Sequence, residues 1–162
     1  MKYSKTISIP GNSEKAIDFL LKTFTNEGFR IVSKSSHALE FTGPGMSSTR
    51  QNPLRGASDV KITIDFSSIT LDAELGGVEK MKKFLIYFIS GMALFFVLLF
   101  GILHFVHESF RSIEPVTLFF IVTSPFYVWI ILIPLMTKSI KHRAENALDT
   151  ALHNAAVISS DS

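Results

Sequence analysis

The chain has 162 residues, a formal net charge of +2, 47% hydrophobic residues and no cysteine. Without thiols it can form no disulfide, iron–sulfur cluster or thiolate zinc site. The first eighty residues carry ten Lys/Arg against nine Asp/Glu, and no dense basic stripe interleaves with aromatics, so nucleic acid is not an expected partner.

The opening MKYSKTISIP lacks the apolar stretch of a signal peptide, so export by a cleaved signal is not expected. Tyr3, Ile7 and Ile9 share a parity and predict a first strand, broken by Pro10-Gly11. Asn12 or Ser13 can cap a helix, because a side-chain oxygen there accepts from an orphan amide. Ile17, Leu20, Leu21 and Phe24 then recur at i, i+3, i+4 and i+7, which is one helical face. Gly28 stands where a left-handed residue closes a helix.

Phe29 to Lys34 and Ala38 to Thr42 predict two strands around Ser35-Ser36-His37. In the next pair the alternation is clearest. Val60, Ile62, Ile64 and Phe66 alternate with Asp59, Lys61, Thr63 and Asp65. After Ser67-Ser68, Ile69, Leu71, Ala73 and Leu75 alternate with Thr70, Asp72 and Glu74. This period of two marks strands with one dry and one wet face. The order β-α-β-β-β-β predicts an α+β domain over residues 1–78, a small antiparallel sheet with one covering helix. Strand order does not follow from the pattern.

Between the third and fourth strands lies GPGMSSTRQNPLRGAS, residues 43–58, with three glycines, two prolines and no acid. A connection of this length is functional or unstructured more often than not. Gly43 and Gly45 permit close backbone approach, and Arg50 and Arg55 can hold a phosphate or carboxylate. Met46 and Leu54 can anchor a partner protein. The competing readings are a mobile hairpin connection, an anion or lipid-headgroup contact, and a docking loop. No Gly-Lys-Ser/Thr ends the loop, so it is not a P-loop.

Two long apolar runs follow, each free of Asp, Glu, Lys and Arg: residues 84–106 and 116–136. About 20 such residues in a helix cross a bilayer core ~30 Å thick. They predict a transmembrane hairpin within residues 79–136. Lys80, Lys82 and Lys83 precede the first run, and Lys138, Lys141 and Arg143 follow the second. Arg111 alone represents Lys/Arg in the short loop between them. That asymmetry predicts both termini in the cytoplasm, with a bacterial inner (plasma) membrane as the expected location. Pro125 removes an amide and frees the Ile121 carbonyl, which Thr123 or Ser124 can re-satisfy. Ser90, Gly91, Ala93 and Gly101 allow close helix approach, without a GxxxG motif.

His104, His107 and Glu108 sit at i, i+3 and i+4, a ligand spacing that would share one helical face, with Glu114 as a further donor. The competing reading is that they are ordinary polar residues at a span's exit. A last helix is expected over residues 137–157, with a frayed end in the tail 137–162. Ala144, Leu148, Ala151, Leu152 and Ala155 lie along one side of it. This face can pack within the chain, against a second copy or against another partner.

No nucleophile motif, cofactor fingerprint or HExxH-type site appears, and no cofactor is expected. Asp59, Asp65, Asp72 and Glu74 fall on wet strand faces. The favoured function is a non-enzymatic two-pass membrane-anchored module whose α+β domain binds a protein partner, lipid headgroup or small ligand. Expected partners are the lipid bilayer and a protein or second copy of the chain. The alternatives are an accessory subunit of an oligomeric transporter or channel, and a membrane-bound enzyme.

Overall fold

A computed structural model of the chain describes residues 1–9, 13–35, 37–48, 50–65 and 67–160. Pro10-Gly11, the Asn12 cap, Ser36, Thr49 and Phe66 lie outside the described residues, as does the end of the tail. The chain divides into two compact units, Met1–Met81 with Lys138–Ser162, and Lys82–Thr137.

The first unit is α+β. Its elements are β1 (Lys2–Ser8), α1 (Ser13–Asn26), β2 (Arg30–Lys34), β3 (Ala38–Thr42), β4 (Asp59–Asp65) and β5 (Ser68–Glu74). They build one five-stranded antiparallel sheet in the order β1-β5-β4-β3-β2. The helix α1 joins the two edge strands, and the chain then meanders back strand by strand until β5 meets β1. Gly28 follows α1 with φ +87°, the left-handed conformation expected of a residue that ends a helix.

Alternation sorts the two sheet faces as expected. Val60, Ile62, Ile64, Ile69, Leu71 and Ala73 are buried, while Asp59, Lys61, Asp72 and Glu74 are exposed. From α1, Ala16, Leu20 and Phe24 enter the core. The Phe24 ring lies edge-on to Phe29 and stacks on Phe41, with centroids 5.1 and 5.2 Å away. Offset and edge-to-face aromatic pairs of this kind add about 0.5–1.5 kcal/mol beyond their burial.

One helix does not suffice to cover this face. The C-terminal part of α4 (Pro115–Ser160) completes the cover, with Ile140, Ala144, Leu148, Ala151, Leu152 and Ala155 all buried. Its position follows from register. Tyr3 and Lys5 pair with Ala73 and Leu71, so they share the buried face, and both bond Asp149 of α4. The expectation of one covering helix is therefore corrected to two. A five-stranded sheet is wider than a single helix of ~10 Å diameter can shield at the 4.7–4.9 Å spacing of strands.

The second unit contains the apolar part of α2 (Gly76–Val106), the single turn α3 (Glu108–Arg111) and the first part of α4. Both α2 and α4 hold an 18-residue stretch of mean hydropathy above 2, long and apolar enough to cross a membrane. The Phe96 and Phe126 rings meet across the pair at 6.0 Å, and Phe100 meets Phe110 at 5.9 Å. α4 stays helical through Pro125 and Pro134. Ser124 Oγ donates to the Ile121 carbonyl at 3.0 Å, which answers the acceptor that Pro125 orphans.

Candidate functional site

The Gly/Pro/Arg loop packs through Met46 and its last turn, whereas Ser47, Ser48 and Arg50 are exposed. Gly43 N–H donates to Ser58 O at 2.6 Å and closes the loop at its base. A single 3-10 turn, Pro53–Gly56, is capped by Asn52, whose side chain accepts from Leu54 N–H at 3.0 Å. Met46, Leu54, Gly56 and Ala57 are buried. Gly43 lies against the Phe29 ring and the Ala57 carbonyl, whereas Gly45, at φ +77°, faces open space. Gly56 abuts Ala144 of α4 and Val78 of α2. Gly43 and Gly56 thus admit close packing of the two ends of the loop, and Gly56 meets two helices of its own unit.

The two arginines do different things. Arg50 is exposed, and its amide hydrogen-bonds Ser48 Oγ at 3.3 Å. Arg55 turns towards Glu27, Nε to Oε2 3.9 Å, and its buried Nε has no hydrogen-bond partner among the described residues. Met46 and Leu54, expected as possible partner anchors, are core residues 4% and 6% exposed. Likewise the Ala/Leu face of the tail is occupied within its own unit.

At the far end of the hairpin α2 stops at Val106, and His107 is the residue preceding α3. His104, His107 and Glu108 therefore do not share one helical face. His104 Nδ1 bonds the Phe110 carbonyl at 2.9 Å. Among the described residues, no group of three His, Asp or Glu side chains is placed to hold a metal.

Tyr3, Lys5 and Asp149 form a polar contact at the border of the core that no sequence pattern indicated. The Tyr3 hydroxyl donates to Asp149 Oδ1, and Lys5 Nζ lies 2.8 Å from the same oxygen. Burial alone would raise the Asp149 pKa, but the Lys5 and Tyr3 bonds outweigh it and hold the carboxyl below its ordinary value of 3.8. Burial and then the Asp149 bond push the Tyr3 phenol above its ordinary 10.0. A carboxyl depressed in the folded state stabilises it above the ordinary pKa, and that contribution fades as pH falls through the depressed value. Asp149→Asn is therefore expected to lower stability at pH 7 by about 0.5–1 kcal/mol, discounted for partial exposure. The gap to the parent should shrink below about pH 3.8, read from thermal melts across pH.

The uncovered face of the sheet is the remaining broad surface of this unit. Cross-strand register arranges it in rows. The first runs Lys2, Glu74, Asp59, Thr42, Arg30. Ser4, Asp72, Lys61, Glu40 and Ser33 make the second, and Thr6, Thr70 and Thr63 a third. The charged rows line a shallow depression of about 360 Å³, with Val32 at its border. Lys61 Nζ meets Glu40 Oε1 at 2.9 Å, and that carboxylate raises the Lys61 pKa. In the first row, Asp59 stands directly opposite Glu74. Like charges so placed cost a sheet some tenths of a kcal/mol. Lys2, 3.8 Å from Glu74, is too exposed and distant to offset much of that.

No protein-family model, curated protein or solved structure matches this chain. The fold and its surfaces therefore define the class of protein by themselves: an α+β unit joined to a pair of long apolar helices.

Proposed function

We propose that this chain is a non-enzymatic, two-pass membrane-anchored interaction module. In this reading α2 and α4 cross the bilayer, and the α+β unit with both termini stays in the cytoplasm. The open sheet face receives a protein partner. Support for insertion comes from the exposure of both apolar stretches, since a soluble protein would bury them. Support for orientation comes from the Lys/Arg excess at the outer ends of the two spans.

The observation that carries the partner reading is the row of charges on the uncovered face, above all the opposed Asp59 and Glu74. This like-charge pair, offset only in part by Lys2 beside Glu74 and by the Thr42 and Ser58 hydroxyls that donate to Asp59, is a local cost within the chain and a ready site for a partner's Lys or Arg. This separates binding from folding. Glu74→Gln relieves the repulsion, so it should leave the melting temperature unchanged or slightly raised.

The same change, combined with Asp59→Asn and Asp72→Asn, should reduce partner capture about tenfold, because it removes charge complementarity. The test places a photo-crosslinking residue at Thr70 or Lys61 in native membranes, with Lys15 on α1 as the control position. A discrete adduct from the sheet positions, lost in the triple variant, is the expected result. Equal labelling from Lys15, or no adduct from a properly inserted protein, sinks the reading.

A further inference from the structure

We propose that the lysines at the soluble ends of α2 and α4 bind anionic lipid headgroups, so that this protein selects negatively charged lipid rather than only inserting into a bilayer. The inference rests on the membrane insertion proposed above.

The first observation is how the lysines are partnered. Lys2, Lys5, Lys22, Lys61 and Lys141 each lie within 4.0 Å of a carboxylate. Among the described residues the other lysines, Lys15, Lys34, Lys80, Lys82, Lys83 and Lys138, form no ion pair. Four of these six unpaired ammonium groups flank the apolar stretches. The second observation is position. Lys80, Lys82 and Lys83 fall within one helical turn ending at Phe84, and Lys138 stands two residues beyond Met136. All four are exposed.

A rise of 1.5 Å per residue puts Lys80 only about 6 Å above the first apolar residue. A lysine stem can lie along the helix while its ammonium reaches the headgroup layer. At 100° per residue, Lys80, Lys82 and Lys83 point around the helix rather than along one side. Neighbouring headgroups can thus be met from several directions.

The five paired lysines each have a carboxylate within 4.0 Å, and these four do not. Left unpaired at the depth of the headgroups, they meet the phosphodiesters of the bilayer. A lysine near an anionic surface strengthens attachment roughly fivefold. Several acting together should give a selectivity of at least tenfold for anionic over zwitterionic lipid.

The full chain, purified in a maltoside detergent, would be titrated with phosphatidylglycerol or phosphatidylcholine. Melting temperature and lipids retained in native mass spectrometry are the readouts. Phosphatidylglycerol should raise the melting temperature and remain bound, while phosphatidylcholine and millimolar inorganic phosphate do neither. The variant K80Q/K82Q/K83Q/K138Q should lose the preference, and K15Q/K34Q should keep it. Equal response of the parent protein to both lipids overturns the inference, even if the quadruple variant does not fold. So does reproduction of the effect by phosphate, or a preference that survives the four substitutions. Carbonate extraction separates the two proposals. Protein released by carbonate removes the insertion reading itself, whereas retained protein with no lipid preference removes only this inference.

Discussion

Leu148→Ala is expected to destabilise the α+β unit by about 3 kcal/mol, within the 2–5 kcal/mol range of buried leucine truncations. Leu148 is fully buried between Ala144 and Leu152 on the inner side of α4. Its removal forfeits the transfer energy of the lost carbons and leaves a cavity that the sheet cannot collapse to fill. Small domains are stable by only about 5–15 kcal/mol, so the loss is a large share. Thermal melting of the detergent-solubilised chain, followed by far-ultraviolet circular dichroism, measures it. Light-scattering mass in parallel distinguishes the two uses of this face. A self-association surface would show a fall in oligomeric mass with little change in melting. A second cover for the sheet shows the reverse, which is the expected result. Leu94, 61% exposed on α2, is the control: its truncation should leave the melting of the α+β unit unchanged.

Gly77→Ala should also destabilise, although alanine is the better helix former by about 1 kcal/mol. The added Cβ would stand 2.5 Å from the Arg55 carbonyl oxygen and 2.9 Å from that of Gly56. Those are backbone atoms of a packed turn and cannot swing aside as a side chain can. Overpacking of this kind costs about 1–3 kcal/mol or more, so the collision outweighs the propensity gain. Moving the turn also withdraws Leu54 and Ala57 from the core. The expected signature is a lower melting temperature together with faster tryptic cleavage at Arg50 and Arg55. Gly91 has open space where a Cβ would go, so Gly91→Ala should be neutral or mildly stabilising. If the two variants behaved alike, close approach of the loop to α2 would not be what Gly77 provides.

Both predictions concern contacts that local pattern does not reveal. The apolar period of α4 marked Ala144, Leu148, Ala151, Leu152 and Ala155 as one face, but periodicity reports which side of an element is dry and not what dries it. The partner is supplied by a sheet whose strand β1, which bonds Asp149 through Tyr3, lies more than 130 residues earlier in the chain. The loop shows the same limit. Its glycines and prolines fit equally with freedom and with close packing, and only the buried Leu54 and the Gly56–Ala144 contact decide between them. At His104, His107 and Glu108 a shared face requires a continuous helix, and α2 ends at Val106.

The candidate partner surface was half legible. Alternation placed Asp59, Asp72 and Glu74 on a wet face, and Lys61 with them. It could not place Lys2 beside Glu74, Glu40 beside Lys61, or Asp59 opposite Glu74, because those neighbours depend on strand order and register.

From the order of residues alone came the strands with their dry and wet sides, α1 and its glycine stop, the two charge-free apolar runs, and the need for a hydroxyl near Pro125. These are local: each is set within a few residues by periodicity, side-chain volume or a missing amide. Tertiary structure alone decided that β1 closes against β5, that α4 returns to seal the sheet beside α1, and that the loop is a wedge between helices. Each of those depends on matching distant surfaces, and burial energy, being non-directional, leaves no periodic trace of which surface answers which.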